Sequence, residues 1–168
     1  MDVPPYTVPF VADARVIELG GGDRPMFRPN VDVRWGPATD FTADFEAPLP
    51  IASDEWDGVF SHFALEHLSW RKVGGFIREL WRILKPSGSA VIVTANAEAQ
   101  MRWALARDDW DERVSQCLGG DQDYSDNVHK VFLNPSYAAR LFREAGFRRV
   151  LVLPYGELQT DMLIEALK

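Results

Sequence analysis

Apolar residues in this chain fall into short runs separated by polar and Gly/Pro-rich clusters, and the period of the runs alternates between two and about 3.6. Arg15 to Leu19 and Asn30 to Val33 read as short strands, Thr39 to Phe45 alternates weakly, and Glu55 to Ser61 supplies a fourth strand after the turn-rich Pro48 to Asp54. From Ser69 the positions Trp70, Val73, Ile77, Leu80, Trp81 and Leu84 are helically spaced, and Lys85-Pro86-Ser87-Gly88 stops that helix in a tight turn. Ser89 to Thr94 is apolar on both faces, which predicts a central strand. Residues 97 to 130 form a less regular block with a helical start at Glu98 to Arg107 and a break at Gly119-Gly120-Asp121. Asn134-Pro135-Ser136 then opens a helix that Gly146 ends, and Arg149 to Leu153 and Asp161 to Leu167 close the chain as strands.

Strands alternating with helices predict an α/β fold with a Rossmann-like, mostly parallel seven-stranded sheet. The final close pair of strands predicts an antiparallel C-terminal edge hairpin, and Pro25 and Pro29 leave the first crossover helix reduced or absent. The 168 residues are expected to form a single domain, with 1–13 as a Pro-rich N-terminal arm carrying Tyr6 and Phe10. The block 97–130 is expected to be a lid or substrate-side insertion.

Composition narrows the partners. A formal charge of −7 argues against a broad phosphate-tracking surface, so nucleic acid is not expected. Cys117 is the only cysteine, which excludes an intramolecular disulfide and a Cys-rich metal site and reads as a small buried hydrophobe. Neither a membrane-length apolar run nor a signal-like N-terminus is seen, which predicts a cytoplasmic protein without a membrane role.

The chemistry gathers at Glu18-Leu19-Gly20-Gly21-Gly22-Asp23, where a buried strand runs into a carboxylate and three glycines. Glycines let a ligand approach the backbone closely, and open parallel sheets bind ligands at the carboxyl ends of their strands. If the first three strands are parallel neighbours, Glu18, Asp32 and Asp44 converge around this turn, while Asp57 enters the fourth strand. Carboxylates so placed suit a nucleoside, accepting from ribose hydroxyls and an adenine amine. Pro25 stands where a dinucleotide motif wants its third glycine, and no helix N-terminus follows for a pyrophosphate.

On these residues the chain resembles the class I S-adenosylmethionine-dependent methyltransferases, from about Val16 to the C-terminus. Glu18 to Gly22 is similar to the family's acidic-x-Gly-x-Gly motif, Asp32 to its ribose-binding acid, and Ala43-Asp44-Phe45 to its adenine-contacting segment. The run from Trp56 to Leu68, followed by Leu84-Lys85-Pro86-Ser87-Gly88, resembles the FD-x-V, LEH and LKPGG elements of the small-molecule branch. The resemblance implies S-adenosylmethionine as cofactor, held by Glu18, Gly20, Gly21, Gly22, Asp32, Val33, Asp44, Phe45, Ser61 and His62. It implies methyl transfer to a small-molecule acceptor on O, N or C. Asp23-Arg24-Pro25, replacing the third glycine and the usual first helix, motivates the alternative of a degenerate methyltransferase-fold binding module; an oxidoreductase subunit is a more distant rival.

Catalytic candidates are His62 and His67, which follow the fourth strand, and His129 at the end of the irregular block. The three histidines are widely dispersed along the chain, so no metal site is expected. Trp103, Trp110 and Tyr124 could stack on an acceptor, although the seven-residue interval between the tryptophans reads more simply as the apolar stripe of one helix.

Overall fold

The computed structural model describes residues 10–168, so most of the expected N-terminal arm, Tyr6 included, lies outside the described residues. Seven strands, β1 (Val16–Leu19), β2 (Asn30–Asp32), β3 (Phe41–Thr42), β4 (Trp56–His62), β5 (Leu84–Ala95), β6 (Arg149–Tyr155) and β7 (Asp161–Leu167), form one sheet in the order β3-β2-β1-β4-β5-β7-β6. The first five pair in parallel, and β7 runs antiparallel to both β5 and β6. The expected Rossmann-like sheet and C-terminal hairpin are both present. Among the described residues no helix separates β1 from β2.

The main core lies between the sheet and two helices, α1 (Val73–Ile83) and α4 (Pro135–Glu144). Helix α1 turns Val73, Phe76, Ile77, Leu80 and Ile83 inward, each contributing about 2 kcal/mol of transfer free energy on burial. Its start corrects the sequence reading. The carbonyl of Ser69 accepts the N–H groups of Lys72 and Val73, so the helix opens at Val73 and Trp70 stays outside, 58% exposed with the Arg71 guanidinium 4.1 Å above its ring. Helix α4 opens as its sequence predicts, with the Asn134 side chain accepting from the Tyr137 N–H and Pro135 in the first turn.

The opposite face of the sheet carries a smaller cluster of Val16, Phe60, Val91, Val93 and Leu163, covered by Phe10, Ala14, Phe27 and Tyr155 in place of a helix. Residues 97–130 hold two helices, α2 (Ala97–Leu105) and α3 (Glu112–Gly119), the second capped by the Asp111 carboxylate accepting from the Arg113 N–H. Because α2 ends at Leu105, Trp110 is not on its stripe and is 62% exposed, while Trp103 is half-buried beside Arg107. Cys117 is half-buried instead of enclosed, and burial pushes its thiol pKa up. No helix of the described residues is long and apolar enough to cross a membrane.

Candidate functional site

Beyond Leu19 the chain turns at Gly20 with φ of +81°, where an added Cβ would stand 2.4 Å from the Ala64 Cβ and 3.6 Å from the Phe45 ring. Only glycine fits this approach between the turn and the segment that follows β4. The next two amides are taken by β2: Gly21 N–H donates to Asn30 Oδ1 at 3.0 Å and Gly22 N–H to Asp32 Oδ2 at 3.0 Å. The Asn30 amide returns donors to the carbonyls of Gly22 and Ala38. Asp32 Oδ1 also accepts from the Arg34 N–H, which fixes the carboxylate at the strand end while each oxygen keeps a further lone pair.

A cleft of about 520 Å³ opens over these strand ends. Gly20, Asp32, Val33, Asp44 and Phe45 line one side, Phe63, Ala64, His67 and Leu68 a second, and Tyr124, Asp126, Asn127 and Lys130 a third. The third side belongs to the segment after α3, and the Arg34 guanidinium lies 3.5 Å from the centre of the Tyr124 ring across it. A cleft of equal volume lies at the other end of the sheet, among Phe10, Asp57, Pro86 and Leu151. Ligands of open α/β sheets bind at the carboxyl ends of the strands, which selects the first cleft. Asp57 is thereby removed from the candidate site; it accepts from Lys85 Nζ at 2.7 Å and from the Arg15 N–H.

The remaining expected cofactor residues do not line the cleft, for distinct reasons. Glu18 is 1% exposed beneath the turn, where Oε2 accepts from the N–H groups of Met26 and Phe27 at 2.6 and 2.7 Å. It braces the backbone that replaces the first helix, and burial lifts its pKa to about 7. Gly21 and Gly22 are engaged by Asn30 and Asp32, and the buried Ser61 hydroxyl donates to the Leu19 carbonyl at 2.7 Å, tying β4 to β1. His62 points to the opposite sheet face, stacked on Phe60 and edge-on to Phe63 and Tyr155, and desolvation lowers its pKa. Strand alternation explains this: Ser61 faces the main core, so its neighbour cannot.

His67 and His129, 62 positions apart in sequence, lie with ring centres 5.2 Å apart. Glu66 stands beside them, 2% exposed, with Oε2 accepting from the Thr94 hydroxyl at 2.9 Å. Burial raises the Glu66 pKa to about 7, and desolvation lowers those of both histidines, so near neutral pH the imidazoles are uncharged. The sequence reading of three dispersed histidines is corrected for two of them. Hydrogen bonds from the Lys130 and Val131 N–H groups to the Glu66 carbonyl bring the segments together, a long-range pairing that no local pattern announces.

A family model described as a methyltransferase domain matches residues 28–92, from β2 into β5. No curated protein matches the chain by sequence. Among solved structures, a S-adenosylmethionine-dependent methyltransferase from Mesorhizobium loti superposes with a TM-score of 0.67 at 17% identity, covering 96% of this chain and 94% of its own. The fold is that of the class I S-adenosylmethionine-dependent methyltransferases. A Thermotoga maritima methyltransferase, described as a possible histamine N-methyltransferase, gives 0.65 at 17% identity over 94% and 84% of the two chains. The CurJ carbon methyltransferase gives 0.61 at 16% identity over 96% of this chain and 50% of its own. Those two names cover transfer to nitrogen and to carbon, so the methyltransferase fold by itself does not select an acceptor atom. The cofactor implied is S-adenosylmethionine, and the cleft fits it in three ways. Its volume is that of a small-ligand site, the Gly20 approach keeps one wall free of side chain, and Asp32 and Asp44 put two carboxylates on its lining, a chemistry that suits a nucleoside and a cationic sulfonium.

Proposed function

We propose that the protein is a S-adenosylmethionine-dependent methyltransferase acting on a small molecule or metabolite-like acceptor. The observation that carries this reading is the convergence in one cleft of Gly20, Asp32 and the Asp44-Phe45 pair beneath Phe63 and Ala64. Asp32 would accept from the ribose hydroxyls, and Asp44 with the Phe45 ring would hold the adenine. The bound cofactor supplies a methyl group already activated by its sulfonium, so positioning of the acceptor can provide much of the acceleration. His67 and Lys130 line the same cleft and would orient the acceptor. The segment carrying Tyr124, Asp126 and Asn127 would act as the lid that excludes water from the cleft.

Thermal denaturation with S-adenosylmethionine, S-adenosylhomocysteine, NAD or no ligand tests the reading. Either adenosyl ligand at 100 times its Kd should stabilise the fold by about 2.7 kcal/mol, whereas NAD should not. Absence of a shift with both adenosyl ligands, confirmed by calorimetry, would end the proposal.

A further inference from the structure

We propose that Glu66, His67 and His129 form a binding site for a divalent metal cation of the zinc class, at the wall of the cleft that His67 lines. One donor atom from each residue can be chosen so that all lie within 4.8 Å of one another. Donors around a tetrahedral zinc stand about 3.4 Å apart, given zinc–nitrogen distances of about 2.0–2.1 Å, so small side-chain rotations would close the set.

The hydrogen bonding around the His67 ring is what a metal-binding histidine requires. His67 Nδ1 faces the Val128 carbonyl at 3.2 Å, and because a carbonyl only accepts, Nδ1 must carry the proton. Nε2 is left as a lone pair. Histidine ligands typically donate their second ring N–H to a carbonyl or carboxylate, which fixes the tautomer and aims the free nitrogen. Glu66 completes the set: it is buried and forms no salt bridge among the described residues, and Thr94 orients one oxygen. A carboxylate removed from water favours a cation close by.

The site is also held in place before any ion arrives. The N–H groups of Lys130 and Val131 donate to the Glu66 carbonyl at 2.8 and 3.2 Å, and the His129 N–H donates to the Gly119 carbonyl at 3.1 Å. Two imidazoles and one carboxylate are a donor set that borderline cations take in preference to calcium or magnesium, and three protein ligands leave a coordination position open. His67 also lines the cleft, which puts the site at the wall of the space left for the acceptor. An acceptor bearing an oxygen or nitrogen donor would be the class suited to it, a statement that rests on the methyltransferase reading; the metal site itself does not.

The test is titration of the metal-stripped full chain with Co²⁺ alone, followed by visible ligand-field absorption, with Zn²⁺ as competitor. Saturable one-to-one binding that Zn²⁺ displaces is expected. His67→Gln and His129→Gln should each weaken it by roughly tenfold or more, while His62→Gln, on the other sheet face, should leave it intact. Glu66→Gln should also weaken binding, and if that buried change unfolds the chain, the half-buried His129 carries the test. A wild-type chain with native circular dichroism and no saturable Co²⁺ absorption would overturn the proposal, as would His129→Gln binding with unchanged affinity. A shift with S-adenosylhomocysteine in metal-free protein reports separately on the methyltransferase reading, so each idea can fail without the other.

Discussion

Replacing Gly20 with alanine probes the closest approach in the site. The new Cβ would lie 2.4 Å from the Ala64 Cβ, far inside the separation of about 3.5–4.0 Å at which two carbons attract. Two costs add. The backbone at φ +81° is left-handed, which costs a residue with a Cβ about 1–2 kcal/mol. Forcing the Ala64 segment away is overpacking, at about 1–3 kcal/mol. Gly20→Ala should therefore destabilise the fold by about 2–5 kcal/mol, read as a lower urea midpoint with an unchanged m-value. The second arm separates the two costs. Adding Ala64→Gly removes the partner atom but not the backbone conformation, so the double variant should recover the packing part and show a coupling of at least about 1 kcal/mol. Additive effects of the two substitutions would refute the claim that this contact requires glycine at position 20.

Further expectations follow from other contacts. Asp32→Ala should weaken S-adenosylhomocysteine binding by roughly tenfold in calorimetry, the size of one lost charge-assisted interaction, whereas Asp57→Ala at the opposite end of the sheet should leave it unchanged; equal effects would remove Asp32 from the ribose role. Glu18 has its pKa raised from near 4.5 to about 7, so the folded chain keeps a proton that the unfolded chain releases in that interval. Its contribution makes stability fall as pH rises from about 4.5 to about 7, and Glu18→Gln should flatten that part of the curve; parallel curves for the two proteins would refute the assignment. Arg82 donates to the carbonyls of Leu49 and Ile51 and pairs with Glu79 at 2.7 Å, so Arg82→Ala should cost about 1–3 kcal/mol in urea unfolding, and a loss under 0.5 kcal/mol, roughly that of an ordinary surface change, would show the loop is held otherwise.

The sheet was legible because its strands are short apolar runs bounded by Gly, Pro and Asp, and because Asn134-Pro135 and Gly146 mark both ends of α4. Helix α1 was misplaced by one turn, since Trp70 continues the apolar spacing that the Ser69 hydrogen bonds interrupt. Gly20, Asp32, Val33, Asp44 and Phe45 could be assembled from strand order alone, as each sits at the carboxyl end of a parallel neighbour. The orientation of His62 was readable in principle from its alternation with Ser61. Glu66 and His129 were not, because their meeting depends on amides of Lys130 and Val131 reaching a carbonyl more than 60 residues away. Asn30, which holds the turn together, carried a weaker signal: a buried amide at the first position of a strand.

The missing helix between β1 and β2 gives the two faces of the sheet different ways of coming apart. On one side α1 and α4 open only when whole turns of hydrogen bonds release together. On the other, Phe10 rests directly on the backbone of β4, with a Cβ at Gly58 excluded at 2.4 Å from its ring, and Phe27 meets both Phe10 and Phe60 edge-on. Rings anchored in irregular chain can lift one at a time. Loss of those rings should uncover one face of β4 while α1 and α4 stay in place, and in hydrogen exchange the β4 amides, still paired with β1 and β5, should stay protected until the sheet itself opens.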